Sequence, residues 1–283
     1  MVAPKNDSTN QEEQPNVAID PSMIGPLYRA KDHATRFDPK EYLEGFYTSH
    51  KEDGAMQMVL FFLPGILYRL PETVENLLDL GAGPTIYIPI AVRKRAKNIY
   101  TSDYSEKNRE KLVEWIEEKN KFDWSNICSW IACIESTSES AVKMQEEARE
   151  KLRAVFEVNV HKDNVIRSVF YKVDKNIIPP TQFDVVVSIF CLEYASETRE
   201  EYQRAVRNAI KLIKPGGYLI QGGVLHADEY CFAGVRFKCH YLTREQVVEN
   251  LQENGMCTNE ESKDYRFIVS GEVFLVISQK LSS

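Results

Sequence analysis

The sequence predicts an α/β protein whose mostly parallel sheet ends in an antiparallel hairpin. An apolar run at residues 76–80 leads into the turn Gly81-Ala82-Gly83 and then a helix-like segment. Strand-like and helix-like segments alternate along most of the chain, which is typical of βαβ units. Two late apolar runs, 265–270 and 273–278, are separated only by Gly271-Glu272. A two-residue link of this kind favours a hairpin.

Composition limits the classes of function. The chain has 283 residues, 43% of them hydrophobic, and a formal net charge of −7. This length supports one large α/β domain, and the absence of a basic stripe argues against a nucleic-acid partner. Six cysteines without a Cys-x-x-Cys pair indicate free thiols rather than disulfides or a metal site. No apolar run approaches about 18 residues, so we expect a cytoplasmic protein without a membrane segment.

The N-terminal part divides into a tail and two helices. Residues 1–20 are polar, and we expect them to form a disordered tail. The stretch Asp38-Pro39-Lys40-Glu41 has a cap residue, a proline in the first turn and an acid three residues after the cap, which predicts a helix start. A second, strongly apolar helix is expected over 54–68. We therefore predict a helical lid over 21–70 and a core over 71–283.

The glycine turn and a later acid together predict a cofactor site. Glycines 81 and 83 allow a sharp turn and close approach of a ligand, and Pro84 suits the first position of a helix. Asp103 ends a short strand about twenty residues further on, where a carboxylate can accept hydrogen bonds from both ribose hydroxyls. Ile86 occupies the place of the third glycine in a dinucleotide fingerprint. Ile86 and the closing hairpin argue against an NAD-dependent oxidoreductase, which stays as an alternative to a protein that binds another adenosine cofactor.

The second half of the chain continues the alternation. The run Phe183-Asp184-Val185-Val186-Val187-Ser188 is β-branched and almost wholly apolar, as expected for a central parallel strand. The other predicted elements are helices at 105–121, 136–163, 198–214 and 243–255, a short apolar excursion at 127–134, and strands at 168–174 and 218–225.

These features together resemble a class I S-adenosylmethionine-dependent methyltransferase, which implies a Rossmann-like fold with a seven-stranded, mostly parallel sheet. The resemblance adds the central strand at 183–188, Lys-Pro-Gly-Gly at 214–217 and the closing hairpin to the glycine turn and Asp103. A narrower resemblance is to the nicotinamide, phenylethanolamine and indolethylamine N-methyltransferases. It is carried by residues 37–44, 80–87, 103–105, 122–124 and 191–193.

The resemblance assigns S-adenosylmethionine as cofactor and gives roles to individual residues. Tyr42 and Tyr47 are similar to the tyrosines that close over its methionine end, and Asp103 matches the acid that binds its ribose. The other cofactor positions implied are Gly81, Ala82, Gly83, Thr85, Tyr87, Tyr104, Asn108 and Ile189. The adenine-edge residue is open between Asp174, which ends a good strand and is favoured, and Asn159, whose neighbours resemble the family more closely.

The resemblance leaves the acceptor less defined. Glu193 matches a Glu of the phenylethanolamine enzyme, and we expect it to orient the acceptor and stabilise its developing charge. The nicotinamide enzyme has an Asp after the strand where this chain has Gly222 and Gly223, and Asp228 is a further candidate. The expected reaction is N-methylation of nicotinamide or a related pyridine by a monomer without a metal. An arylalkylamine acceptor and a cofactor-binding protein without catalysis are the alternatives.

Overall fold

The computed structural model describes residues 25–48 and 54–282, so the expected tail at 1–20 lies outside the described residues. The strands are β1 (Leu27–Tyr28), β2 (Val74–Leu80), β3 (Ala96–Asp103), β4 (Leu152–Val158), β5 (Ile166–Lys172), β6 (Phe183–Ile189), β7 (Ile213–Val224), β8 (Glu229–Phe232), β9 (Val235–Lys238), β10 (Tyr265–Ser270) and β11 (Val273–Gln279). The helices are α1 (His33–Arg36), α2 (Pro39–Phe46), α3 (Gly54–Leu67), α4 (Tyr87–Val92), α5 (Glu106–Ile116), α6 (Ser125–Ile134), α7 (Ala141–Lys151), α8 (Arg199–Lys211) and α9 (Arg244–Glu253).

The large sheet has the strand order β10-β11-β7-β6-β2-β3-β4-β5. Strands β2, β3, β4, β6 and β7 are parallel, and β11 runs antiparallel between β7 and β10, which confirms the mostly parallel sheet and the closing hairpin. The described sheet has eight strands rather than the expected seven, because β5 pairs antiparallel with β4 at the edge. Strand β2 pairs with β3 on one side and with β6 on the other, so the first and second halves of the sheet extend from β2 in opposite directions. Such a switch point opens a crevice at the carboxyl ends of the strands.

Two helix layers cover the sheet. The buried residues of β6 alternate between two apolar clusters, since Val185 and Val187 pack in one and Val186 in the other. Helices α3, α4, α6 and α7 contribute to the first cluster, and α8 and α9 to the second. All three valines are fully buried, as the continuous apolar run predicts for a central parallel strand. Helix α3 packs on this core. Of the described residues in the predicted lid at 21–70, those that line the cavity described below all come before residue 48.

Two predicted boundaries are wrong. The segment 136–163 was expected to be helical, but α7 ends at Lys151 and β4 begins at once with Leu152. The charge-rich sequence of this segment continues a helical pattern. Residues 152–158 nevertheless form strand β4, because they pair with β3 on one side and with β5 on the other. The helix after the glycine turn begins at Tyr87, so Pro84 belongs to the turn and not to the first helical position.

A small second sheet, with the order β1-β9-β8, covers the carboxyl edge of the large one. Strands β8 and β9 form a hairpin in which Ala233 and Gly234 both have positive φ angles, 50° and 75°. This geometry matches the two-residue turns that suit strand twist. Phe37, Phe232 and Phe237 form an aromatic cluster that joins this sheet to helix α2. The N-terminal segment is thereby attached to residues near position 235, far along the chain.

A buried arginine joins three of the surface helices. The side chain of Arg93, at the end of α4, is 0% exposed, and its Nη2 lies 2.6 Å from Glu135 and 2.7 Å from Glu139. Glu147 of α7 lies 3.4 Å from its Nε. Hydrogen bonds from Lys94 and Arg93 lower the pKa of Glu139 to about 2. The pair therefore stays ionised near neutral pH.

We predict that Arg93→Met lowers the free energy of unfolding by about 3 kcal/mol, because it leaves carboxylates without their buried cation. The matched control is Lys97→Met, which removes an exposed pair with Glu75 at 2.9 Å and should cost less than about 1 kcal/mol. Urea unfolding at neutral pH measures both. Equal shifts for the two variants would contradict the importance of the buried arginine.

Candidate functional site

A cavity of about 360 Å³ lies at the carboxyl end of the parallel strands, beside the switch point between β2 and β6. Its floor comes from the loops after β2, β3, β4 and β6. Its roof comes from the N-terminal segment before residue 48 and from Tyr230 of β8. Residues from four strand ends and a distant hairpin therefore enclose one space.

The carboxylate of Asp103 holds the floor of this cavity together. Its Oδ2 accepts a hydrogen bond from the Gly83 backbone N–H at 2.8 Å. Its Oδ1 accepts from the Ser105 backbone N–H at 2.8 Å and from the Asn108 side chain at 2.9 Å. Thr85 closes the other side of the glycine turn by donating to the Ala82 carbonyl at 2.7 Å. The turn and the end of β3 thus form one rigid unit.

Burial dominates the electrostatics of this floor. Asp103 is 7% exposed, and desolvation raises its pKa despite its three hydrogen bonds. Asp79 lies on β2, two residues before the glycine turn, and is 2% exposed. Desolvation, and to a smaller extent the charge of Asp103, raises the pKa of Asp79 well above the usual range. Arg109 donates to the backbone carbonyls of Asp103 and Tyr104. The floor is therefore rich in buried carboxyl groups, which favours a ligand that carries positive charge or several hydrogen-bond donors.

The structure places nearly all the residues expected to bind the cofactor on the wall of this cavity. Both glycines have positive φ angles, 76° at Gly81 and 62° at Gly83, which accounts for glycine at these positions. Tyr42 and Tyr47 lie on the roof, and their rings are 6.0 Å apart. The expected residues that line the cavity are Tyr42, Tyr47, Gly81, Ala82, Gly83, Thr85, Tyr87, Asp103, Tyr104, Asn108 and Ile189.

Asp174 is the exception and needs correction. It follows β5, which is antiparallel to β4, so the end of β5 lies at the opposite edge of the sheet from the cavity. Asp174 is exposed there and accepts a hydrogen bond from the Asn176 backbone N–H. The cavity wall is instead formed by residues 158–162, which follow the parallel strand β4. The alternative candidate, Asn159, is among them.

The three residues expected on the acceptor side do not line the cavity directly. Glu193 is 0% exposed, and its Oε1 accepts a hydrogen bond from the Val224 backbone N–H at 3.2 Å. A Cβ atom at position 223 would overlap the Glu193 carboxylate, so Gly223 provides the room for it. Asp228 is exposed in the loop before β8. Glu193 therefore lies behind the wall formed by its neighbours Cys191 and Tyr194.

The part of the cavity around Tyr194 and Tyr230 is aromatic, and most of it was not predicted; we call it the acceptor half, after the role proposed for it below. Tyr194 and Tyr230 stack with ring centroids 4.1 Å apart and an interplanar angle of 11°. Phe190 has a φ of 53°, unusual for a bulky residue, directly after β6, where backbone strain is often functional. His33 and Phe37 complete this half. The two-residue Ala233-Gly234 link could have identified the hairpin that carries Tyr230, whereas His33 has no recognisable sequence signal.

Burial raises the pKa of Glu193 to about 8, with little compensation from its hydrogen bonds. Its Oε2 has no hydrogen-bond partner among the described residues. The folded protein should hold this proton over a range of pH in which the unfolded chain, with a value near 4.5, has lost it. The contribution of the Glu193 carboxyl to the free energy of unfolding is therefore fully present below its pKa in the unfolded chain. This contribution is lost as the pH rises towards 8.

We predict that Glu193→Gln, which mimics the neutral acid, removes this loss. The Tm of the variant minus that of the wild type should increase steadily between pH 5 and pH 8. The matched control is Glu260→Gln on the surface, where the side chain is 74% exposed, and its difference should stay constant. Thermal unfolding at several pH values measures both, and a constant difference for Glu193→Gln would contradict a buried, neutral carboxyl.

The described residues hold neither a metal-binding cluster nor a membrane-spanning helix. No group of three or more His, Cys, Asp or Glu side chains suited to a metal occurs in residues 25–48 and 54–282. Within the same residues, helices that combine the length and the apolar character needed to cross a bilayer are absent.

The chain is similar to known N-methyltransferases. A nicotinamide N-methyltransferase of Caenorhabditis elegans is 50% identical over 277 residues, with 98% of each chain covered. The human nicotinamide N-methyltransferase is 29% identical, with 90% of this chain and 91% of the relative covered. The mouse phenylethanolamine N-methyltransferase is 29% identical, with 78% and 74% covered.

Solved structures agree on the fold. The crystal structure of a magnesium protoporphyrin IX methyltransferase of Synechocystis with bound SAM aligns with this chain at a TM-score of 0.51 and 12% sequence identity. The alignment covers 89% of this chain and 94% of the other. The model of the NNMT/PNMT/TEMT family matches residues 25–281 of this chain. The chain therefore belongs to the NNMT/PNMT/TEMT family of methyltransferases and has the class I methyltransferase fold.

Proposed function

We propose that this protein transfers a methyl group from S-adenosylmethionine to the ring nitrogen of nicotinamide or a related pyridine. The main support is the cavity at the switch point, where the glycine turn and Asp103 form one unit. The relative that is 50% identical over almost the whole chain is named a nicotinamide N-methyltransferase. Family membership rules out the NAD-dependent oxidoreductase considered from the glycine turn alone.

The residues present fit this cofactor. Gly83 leaves open space above the turn, Gly81 avoids overlap with the Cys191 side chain, and the fixed Asp103 carboxylate has an acceptor site left on Oδ2 for a ribose hydroxyl. We assign the adenine edge to residues 158–162, in place of Asp174. Tyr104, 43% exposed at the rim, and the buried Asn108 complete this end. When bound, S-adenosylmethionine supplies an electrophilic methyl group carried by a sulfonium ion.

The protein's contribution to methyl transfer to a pyridine is mainly positional. A pyridine nitrogen is neutral at pH 7 and already has its lone pair, so no general base is required. Tyr42 and Tyr47 cover the cavity, and the aromatic cluster around Phe232 ties them to the small sheet. We propose that the segment before residue 48 acts as a lid that excludes water and fixes the two reactants at attacking distance.

Glu193 is proposed to act on the acceptor through its charge. Its carboxyl group lies just behind the wall, and a positively charged ligand in front of it favours its ionised form. Once ionised, it stabilises positive charge on the acceptor nitrogen. We keep Gly223 as the residue that makes room for this carboxylate and Asp228 as a loop residue on the same side.

An arylalkylamine acceptor is the second candidate, and one observation favours it. An alkylamine arrives protonated and must lose a proton before it can attack. The pKa of Glu193, raised to about 8, suits a group that accepts a proton near neutral pH. The acid would then serve as a base rather than as a source of charge.

We extend the proposal to a monomer that works in the cytoplasm without nucleic acid or a membrane surface. The net charge of −7 and six free cysteines support this.

The cofactor site can be tested by binding. Asp103→Asn places an amide N–H against groups that already donate to the carboxylate, so it should weaken binding of S-adenosylhomocysteine at least about tenfold, since a buried unmatched donor costs about 1–3 kcal/mol. Isothermal titration calorimetry measures the Kd. The matched control is Asp174→Asn, which should leave the Kd unchanged because Asp174 lies at the opposite edge. A comparable loss in both variants would overturn the assignment of the cofactor site.

The acceptor can be tested by turnover with labelled S-adenosylmethionine and a panel of nicotinamide, quinoline, phenylethanolamine and tryptamine. We expect nicotinamide to have the highest kcat/KM, with N-methylated product identified by mass. Glu193→Ala should lower kcat/KM for the best acceptor about tenfold or more, as loss of an electrostatic contact to the transition state does. If Glu193→Ala leaves that value unchanged, the proposed role of Glu193 fails. If an amine is methylated best, the second candidate replaces the first.

A further inference from the structure

His33 and Tyr230 form a hydrogen-bonded pair on the wall of the acceptor half. His33 opens helix α1, and its ring stacks on Phe237 at 4.3 Å and faces Tyr230 at 5.7 Å. Its Nδ1 is hydrogen-bonded to the Ala30 carbonyl, and its Nε2 to the hydroxyl of Tyr230. Both side chains line the cavity, so this chain of bonds ends at the acceptor space.

The direction of each bond in this chain is fixed by chemistry. A carbonyl oxygen can only accept, so Nδ1 of His33 must carry a proton and donate to Ala30. Burial lowers the pKa of His33, which favours the neutral ring near pH 7. A neutral ring with its proton on Nδ1 has a lone pair on Nε2, so the hydroxyl of Tyr230 must donate to it. The only proton of that hydroxyl is therefore committed.

What Tyr230 then offers to a ligand is a hydrogen-bond acceptor. Its oxygen keeps lone pairs but has no second proton. The neighbouring groups on this wall, Phe37, Phe190 and the ring of Tyr194, are largely apolar. An unsatisfied polar group in such surroundings costs more than in water. A ligand placed against Tyr230 is thus favoured if it presents an N–H, and disfavoured if it presents only a carbonyl oxygen.

We propose that the series Ala30, His33 and Tyr230 selects acceptors that carry an N–H donor on a ring substituent, as the carboxamide at position 3 of nicotinamide does. This inference rests on the proposed function, because it assumes that the acceptor occupies this half of the cavity. It assigns to His33 a positioning role: the histidine sets the direction of the Tyr230 hydroxyl and has no need to touch the substrate.

The test compares nicotinamide with 3-acetylpyridine, which has a methyl group in place of the amide NH2 and a similar shape. The wild type should prefer nicotinamide in kcat/KM by about tenfold or more, since sites built to hydrogen-bond a substrate group reject the analogue that lacks it. Tyr230→Phe should lower kcat/KM for nicotinamide about tenfold and leave 3-acetylpyridine nearly unchanged. The preference should therefore collapse in this variant.

His33→Phe supplies the second arm, since it keeps an aromatic ring against Phe237 but removes the acceptor for the Tyr230 hydroxyl. The freed hydroxyl can donate to either carbonyl, so kcat/KM for 3-acetylpyridine should rise relative to nicotinamide. The matched control is Tyr28→Phe, in the same aromatic cluster but away from the cavity wall, which should leave the preference intact.

The outcomes separate the two proposals. If the wild type methylates nicotinamide but Tyr230→Phe lowers both substrates equally, or His33→Phe leaves the preference unchanged, the inference is overturned and the proposed function stands. A wild type that methylates both pyridines equally well also overturns the inference alone. If the wild type methylates neither pyridine, the proposed function fails and the inference fails with it.

Discussion

The hydrogen bond between the Gly83 backbone and the Asp103 carboxylate is the contact on which the cofactor end of the site depends. It joins the turn after β2 to the end of β3, and the same carboxylate fixes the start of α5 through Ser105 and Asn108. The acid therefore positions the backbone around the ligand as well as presenting its own oxygens. Its substitution should disturb both functions, so its effect on binding should exceed the loss of one hydrogen bond.

Three buried carboxyl groups lie in or near the cavity: Asp103 on its wall, Asp79 on β2 and Glu193 behind the wall. Desolvation is the largest cause of the raised pKa at Asp79, Asp103 and Glu193 alike. A cation placed among them favours their ionised forms and is itself stabilised. The proposed reaction involves positive charge throughout, first on the donor and then on the methylated ring nitrogen. These buried acids thus favour the positively charged forms of the donor and of the methylated product.

The contact between the glycine turn and Asp103 could be predicted from the sequence because it follows from strand order. In a βαβ unit the turn after one strand and the tip of the next must meet, so the spacing from Gly83 to Asp103 was sufficient. Asp174 failed because its strand is antiparallel and ends at the other edge, which no local pattern distinguishes from a parallel strand. The acceptor half could not be predicted in the same way. His33 and Tyr230 meet only because the small sheet brings the N-terminal segment against β9.

Glu193 and Gly223 are a pair of positions at which this chain differs from the nicotinamide enzyme it resembles. The resemblance leads one to expect an acid near the end of β7, yet a side chain at 223 would overlap the carboxylate of Glu193. The longer side chain enters from the loop after β6 and bonds to the Val224 N–H, next to the glycine. The two positions are therefore coupled, because a side chain at 223 would require the Glu193 carboxylate to move. The proposed acceptor pocket thus has one carboxylate near it, which approaches from the β6 side, behind the wall that Tyr194 and Tyr230 help to form.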